Sequence, residues 1–453
     1  MMDNVLKMQI DKAVPAGYKL TEMGVIPEDW DVYTFNDLIE SCSSGATPYR
    51  GNKSFYTGSN KWITSGELNY CVINDTLEKI SDEAVKRSNL KIHPAGTFLM
   101  AITGMEAAGT RGACGIVGQS AATNQSCMAI YPNHKLSSLY LYHWYVYNGE
   151  SLAFKYCQGT KQLSYTAGLL RTIPIYIPRT IKEQTRIANV LSDTDALITK
   201  LEQLIAKKQT IKSATMQQLL TGRTRLPQFS KHPDGTSKSY KASELGSIPE
   251  DWKVLSVGQV CDLLTGFPFS SNKYSDSGIR LLRGSNVKRG ITDWSDGITQ
   301  YWPEISADIK QYELYAGDIV ISMDGSLVGR SFAQLSDSDL PAVLLQRVAR
   351  VRTSFVDQGF LKEWICSQFF TEHCDAVKTV TAIPHISPQD IRSFKFLMPP
   401  TNEEQTAIAN ILSDMDAELT ALEQKLAKVR DIKQGMMQQL LTGRIRLPLD
   451  QQP

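Results

Sequence analysis

Two stretches decide how this 453-residue chain reads: Thr180–Pro227, TIKEQTRIANVLSDTDALITKLEQLIAKKQTIKSATMQQLLTGRTRLP, and Thr401–Pro448, TNEEQTAIANILSDMDAELTALEQKLAKVRDIKQGMMQQLLTGRIRLP. About two-thirds of their aligned positions are identical, and the sequence between them holds nothing comparable. The period is about half the chain, which marks an internal duplication rather than a solenoid of short repeats.

Each stretch reads as one long helix. Thr180-x-x-Glu183 and Thr401-x-x-Glu404 have the form of a capping box, in which the Thr hydroxyl and the Glu carboxylate satisfy amides of the first turn. Pro178 and Pro399-Pro400 precede the caps, and Gly222 and Gly443 stand where a left-handed residue closes a helix. A helix of about forty residues spans roughly 60 Å at 1.5 Å per residue. Apolar residues recur at heptad spacing, among them Ile187, Leu191, Leu201, Ile205 and Leu219 in the first helix and Ile408, Leu412, Leu419, Leu426 and Leu440 in the second. The stripe is wider than a two-stranded seam needs. It predicts that the helices pair antiparallel, as a pseudo-two-fold duplication would place them, with apolar surface left for a further partner.

The duplicated unit has a start as well as an end. YKLTEMGVIPEDWDV from Tyr18 recurs as YKASELGSIPEDWKV from Tyr240. Residues up to about Ala16 read as a loosely held lead-in, and Gln228–Leu245 as a polar, exposed linker. A two-fold arrangement would bring both chain ends to one site and the linker to its symmetric counterpart.

Between start and end lie two regions of about 150 residues each, Trp30–Pro178 and Trp252–Pro399, whose sequences have diverged. Short apolar runs such as Thr97–Ile102 and Asp318–Ser322 predict buried strands, and helices are expected around Ser138–Tyr147 and Phe360–Phe370. The expected class is α/β or α+β. The expected limits are a first domain at 1–179, a helix at 180–222, a linker at 223–247, a second domain at 248–400, a helix at 401–443 and a tail at 444–453. Some register survives the divergence: Gly96 matches Gly317, Gly104 matches Gly325 and Gln125 matches Gln346, all at the spacing of the helical repeat. Glycines and strand runs are kept while the rest changes, so the fold is kept and its surface is not.

Composition narrows the function. A formal net charge of +1 excludes a uniformly basic coat, so contact with nucleic acid must use local patches. The eight cysteines contain no C-x-x-C pair, which argues against structural zinc. The N-terminal stretch has no signal-peptide core and no run has the length of a membrane span, so a cytoplasmic protein with reduced thiols is expected. There is no Walker A loop, no dinucleotide fingerprint and no amino-methylation N/D-P-P-Y/F motif. Pro233-Asp234 lacks the downstream Glu-x-Lys of a nuclease, and His93, His134, His143, His373 and His385 form no triad or metal spacing. The chain reads as non-catalytic and metal-free.

The duplicated I-P-E-D-W start, the two divergent regions and the two E-Q-x-x-I-A-x-x-L-S-D-x-D helices ending Q-Q-L-L-T-G-x-x-R-L-P together resemble the specificity subunit of type I restriction–modification systems, over essentially the whole chain. The resemblance implies two target recognition domains separated by an antiparallel coiled coil. It implies partners too: double-stranded DNA, two modification subunits that use S-adenosylmethionine to methylate adenine, and two restriction subunits that use ATP and Mg2+. None of those cofactors would belong to this chain. Two different domains on a rigid spacer would read an asymmetric, bipartite target, with half-sites about one helical turn, roughly 34–36 Å, apart.

Candidate DNA-binding residues are polar and basic side chains on turns between strands. In the first domain they are Thr47, Tyr49, Arg50, Lys53, Trp62, Thr64, Ser65, Arg111, Asn124, Gln125, Lys161 and Gln162. In the second they are Lys273, Arg280, Arg283, Ser285, Asn286, Lys288, Arg330, Gln346, Arg347, Lys378 and His385. The family resemblance makes the loops Trp62–Leu68 and Leu282–Val287 equivalent. Arg, Asn and Gln can reach base edges in two-pronged fashion, whereas Lys more often holds phosphates. Trp62 reads equally well as a core residue. Two other functions stay open on these residues: a coiled-coil tether without base readout, and a self-contained DNA-modifying enzyme, against which the missing motifs speak.

Overall fold

The structure, a computed structural model, describes residues 14–103, 111–157, 164–380 and 382–448. Most of the expected lead-in, the end of the C-terminal tail, Gly104 and the candidates Lys161 and Gln162 fall outside those residues. The chain divides into two compact units, one of residues 1–202 with 424–453 and one of residues 203–423. Each unit therefore holds one divergent region together with part of both long helices.

In the first unit a five-stranded sheet runs in the order Ile39–Ser44, Cys127–Pro132, Phe98–Ala101, Cys114–Val117, Cys71–Ile73. Phe98–Ala101 is a central strand buried at all four positions, as its unbroken apolar run requires. Phe98 and Met100 pack into a core with Trp30, Trp144 and Tyr145, while Leu99 and Ala101 pack on the other face with Ile63 and Val117. Beside this sheet lies a three-stranded one, in which Asn60–Ile63 pairs parallel with Ala121–Thr123. The second unit repeats the plan with four strands, Asp262–Thr265, Val348–Arg352, Ile319–Ser322 and Phe332–Gln334, and a three-stranded sheet in which Ile279–Leu282 pairs parallel with Ala342–Leu344. Ile319 and Ile321 again face one core and Val320 the other.

The expected helices form with altered limits. Ser138–Tyr156 runs two turns further than anticipated. The run around Phe360–Phe370 is instead two helices, Gln358–Ile365 and Gln368–Val377. The break falls at Ser367, whose hydroxyl accepts from the Phe370 amide at 3.4 Å and so caps a new helix.

The long helices span Ile181–Leu220 and Asn402–Leu440. Within each unit their segments run antiparallel. In the first, Arg430 reaches Glu202 at 2.6 Å and Lys433 reaches Asp195 at 2.5 Å. In the second, Lys208 reaches Glu418 at 2.7 Å and Lys212 pairs with Asp416. Ile187, Ala188 and Leu191 join Met437, Leu440 and Leu441 in the core around Trp30, and Met216, Leu219 and Leu220 join Ile408, Ala409 and Leu412 in the core around Trp252. At about 1.5–3 kcal/mol for each fully buried aliphatic or aromatic side chain, these contacts tie the helices firmly to their domains.

The repeated motifs meet at the helix ends. Thr180 and Thr401 cap as expected, each accepting from the amide three residues on at 3.3 Å, but the Glu half of the box is absent. Glu183 is bound by Arg446, which also grips Asp29 of the I-P-E-D-W start with both terminal nitrogens at 2.7 and 2.8 Å. In the second unit Arg225 grips Glu404 and Asp251 in the same way. The Arg446 hydrogen bond holds the Asp29 carboxyl below the usual carboxylate range. Burial alone would raise Asp251, but Lys238 and Arg225 outweigh it and hold that carboxyl low as well. Gly222 and Gly443 close the helices at φ of +66° and +70°, and a Cβ there would meet Pro249 and Pro27 at 2.6 and 2.4 Å. Tyr240 and Tyr18 donate to the carbonyls of those glycines, each at 3.0 Å.

Thus the described chain ends lie together in the first unit, and the link between the repeats occupies the matching place in the second. That link is exposed along most of its length, as expected, but it carries regular structure. Tyr240–Ser243 and Gly246–Pro249 form a hairpin matching Tyr18–Thr21 and Gly24–Pro27, and Lys238 binds Asp251 at 2.8 Å. All eight cysteines are free. Among the described residues, no helix is long and apolar enough to cross a membrane.

Candidate nucleic-acid interface

Loops that follow neighbouring parallel strands open on the same side of a sheet, where ligands of open α/β sheets bind. In the first unit Asn60–Ile63 leads into Thr64–Glu67, and Ala121–Thr123 leads into Asn124–Ser126. In the second, Ile279–Leu282 leads into Arg283–Asn286, and Ala342–Leu344 into Leu345–Arg347. Both first loops are single 3-10 turns closed alike: the Thr64 amide donates to Glu67 at 2.8 Å, and the Arg283 amide to Asn286 at 3.1 Å. Both second loops are pinned alike, the Asn124 amide donating to the Ile63 carbonyl at 2.9 Å and the Leu345 amide to the Leu282 carbonyl at 3.1 Å. A third segment presses against each through a glycine. A Cβ on Gly45 would fall 1.8 Å from the Thr123 carbonyl oxygen, and one on Gly266 would fall 2.2 Å from Leu345.

On this framework the second unit brings five of the sequence candidates together. Ser285, Lys288, Gln346 and Arg347 line an open cleft of about 430 Å³ with Asp324, and His385 lies beside Arg347 and Asp324 in an adjoining hollow of about 220 Å³. Arg347 and Asp324 form an ion pair at 3.0 Å, and His385 Nδ1 meets the Thr379 hydroxyl at 2.9 Å. In the first unit the exposed Gln125 accepts from the Thr47 hydroxyl, and Asn124 accepts from the Ser126 amide at 3.1 Å. Ser65 is half-buried in the equivalent of the Ser285 loop.

Other candidates face elsewhere. Trp62 is 1 % exposed and belongs to a small core with Phe55 and Ile80. Asn286 is fully buried, donating to the Asp293 carbonyl as well as holding the Arg283 amide. Arg283 is half-buried, with its guanidinium donating to the Ile298 carbonyl. These three hold the loops rather than present themselves to a groove, because a polar group spent on a buried backbone partner is costly to withdraw. Arg50 is gripped by Glu78 at 2.6 and 2.8 Å over the Tyr56 ring. Arg280 donates to the Ser338 carbonyl at 2.6 Å over the Trp294 ring. Arg330, then Lys378, hold the Asp375 carboxyl down at about 2, on the side that faces a different cavity. Arg111 lies against the Phe154 ring, and Thr64 bonds Glu67 through its hydroxyl at 2.8 Å. Tyr49, Lys53 and Lys273 are exposed.

Asp324 was absent from the sequence candidates although Gly325, next to it, was picked out by the repeat. The clamp residues Arg225 and Arg446 were also passed over, although both sit in the repeated L-T-G-R-x-R-L-P. The available signal was that the two arginines and their two glutamate partners recur at one spacing, Arg225 to Arg446 and Glu183 to Glu404 both being 221 positions apart.

The model for the type I restriction modification DNA specificity domain matches residues 27–213 and again 249–430. The chain is 26 % identical over 428 residues to the type I restriction enzyme MjaVIII specificity subunit of Methanocaldococcus jannaschii, covering 93 % of this chain and 94 % of that protein. A local stretch of 173 residues, 37 % of this chain and 28 % of the relative, is 34 % identical to the EcoAI specificity subunit of Escherichia coli. In fold the chain is similar to the type I restriction–modification S subunit from M. genitalium, with a TM-score of 0.60 at 14 % identity over 93 % of this chain and 97 % of that one. With the specificity-domain model matched twice and covering most of its length, this chain belongs to the type I restriction–modification DNA specificity family.

Proposed function

We propose that the chain is the DNA-recognition subunit of a type I restriction–modification enzyme, reading an asymmetric, bipartite double-stranded target with one unit per half-site. The observation that carries this reading is one loop framework, present twice, with an exposed glutamine at each copy (Gln125 and Gln346) and different side chains around it. A reader of two unlike half-sites needs a conserved frame and a changed surface. The full-length similarity to named specificity subunits supports the same reading.

Chemistry is assigned to partners: two modification subunits would bind S-adenosylmethionine and methylate adenine, and two restriction subunits would use ATP and Mg2+ to cleave. Reaching an adenine inside a duplex means flipping it out, at about a few kcal/mol, and this subunit's contacts would position the partner to do so. The helices at 180–222 and 401–443 act as spacer and docking surface between recognition domains at 1–179 and 248–400, in a cytoplasmic complex.

Exchanging residues 30–178 for those of a relative with a different target tests the modular reading. Methylation mapped on a random DNA library by the assembled complex should show one half of the target replaced and the other kept. Replacement of both halves, or loss of all sequence dependence, would sink it.

A further inference from the structure

The two recognition frameworks can be superimposed residue by residue from their backbone bonds alone. The Ile102 amide donates to the Ser126 carbonyl at 2.9 Å, and the Met323 amide donates to the Arg347 carbonyl at 3.0 Å. The Tyr165 amide donates to the Ile102 carbonyl, and the Ile386 amide to the Met323 carbonyl, both at 2.9 Å. Isolated bridges join Thr103 to Ser164 and Asp324 to His385. Every one of these pairs is separated by 221 positions in the chain, as are Gln125 and Gln346. Thr103, Ser126 and Ser164 thus occupy the places of Asp324, Arg347 and His385. Beside the shared glutamine, one domain carries three hydroxyls where the other carries an acid, a guanidinium and an imidazole.

Arg347 is unusual in its backbone too. Its φ is +68°, in a region that among described non-glycine residues is shared with Tyr70 and Asn89, and that Ser126 does not enter. Such a conformation costs an L-residue about 1–2 kcal/mol and concentrates at functional sites. Its side chain is 65 % exposed, with Nη1 held at 3.0 Å by Asp324. That bond is made by Nη1 and not by the Nε–Nη2 edge of the fork, and a two-pronged guanidinium edge matches the N7 and O6 acceptors of guanine in the major groove.

We propose that these two triplets are matched specificity-determining positions: Arg347, aimed by Asp324, reads a guanine in the half-site of the second domain, and the hydroxyl triplet makes the corresponding contact in the first domain without that requirement. The inference rests on the recognition function proposed above. Arg347 touches the base, and Asp324 is a positioning residue that acts through it.

The test uses the complex assembled with its modification subunits, methylating a library randomised across the target. Wild-type protein should require guanine at one position of one half-site. Arg347→Lys keeps the charge but not the fork, so guanine preference there should fall roughly tenfold or more, while every other position stays as it was. Asp324→Asn should weaken preference at that same position alone, and Asp324→Thr with Arg347→Ser and His385→Ser should remove it. Evenly weaker methylation of all sequences by Arg347→Lys would make Arg347 a phosphate contact and overturn the proposal, as would altered preference in both half-sites. A wild-type complex with no sequence preference would instead overturn the recognition function itself, before any variant is made.

Discussion

His93 and His143 are buried in the first unit at 1 % and 0 % exposure. Burial pushes them down to about 4 and about 3, so both fold as neutral imidazoles. His93 meets the Tyr131 hydroxyl at 2.6 Å and His143 meets Ser192 of the long helix at 2.8 Å. Their folded values lie below the ordinary value near 6.5, so the unfolded chain binds more protons and acid favours unfolding. The contribution is fully present above about pH 6.5 and shrinks as pH falls toward the folded values, by about 2 kcal/mol for each histidine at pH 5. Thermal unfolding followed from pH 7.5 to 5 should show the melting temperature dropping, and replacing both histidines with phenylalanine should flatten the slope. An unchanged slope would mean that other groups govern the acid response. At this scale the sequence said which residues sit on loops, and Gln125, Gln346, Arg347 and Ser285 are indeed exposed or half-exposed there. It could not say that Asn286 and Arg283 spend their polar atoms on their own backbone, since that depends on carbonyls of Asp293 and Ile298 brought back by folding.

Among the elements, the helix ends are where sequence repeats become mechanical joints. Arg225 is 6 % exposed and Glu404 2 %, so this pair is desolvated, whereas Arg446 is 36 % exposed. Removing one partner of a buried pair costs about 3–5 kcal/mol because the other charge is left uncompensated. Arg225→Ala should therefore destabilise the protein markedly more than Arg446→Ala in denaturant unfolding, and Arg225→Lys should not restore stability, because one ammonium cannot grip two carboxylates in two-pronged fashion. Equal, small effects would show that the joint is held by Trp252 and its apolar neighbours instead. The helices themselves were plain in the sequence, because caps, heptads and closing glycines all agree. The strand runs were plain for a related reason: central strands covered on both faces are uniformly apolar. The single-sided capping box was not, because it is decided by tertiary partners, the Glu183 and Glu404 carboxylates being claimed by arginines that lie 263 and 179 positions away; the break at Ser367 was missed although its cap, to the Phe370 amide, is local.

For the whole molecule, duplication explains why recognition and architecture separate so cleanly in the chain. The start and end motifs build the same joint in each unit, so they could not diverge without breaking Trp30 and Trp252 cores, clamps and helix closures together. The loops after the parallel strands carry less of that burden, a closing side chain at Glu67 or Asn286 and a glycine at each close approach, so their other positions were free to differ. This is also why family and fold were legible from one sequence while the contacts that choose bases were not. The most direct test of the central claim is to map modified bases in the DNA of cells with and without this gene, its partner subunits present in both. The expected result is an asymmetric target of two unlike half-sites separated by unread base pairs, methylated only when the gene is present. A continuous or symmetric target, or a modification pattern indifferent to the gene, would contradict it.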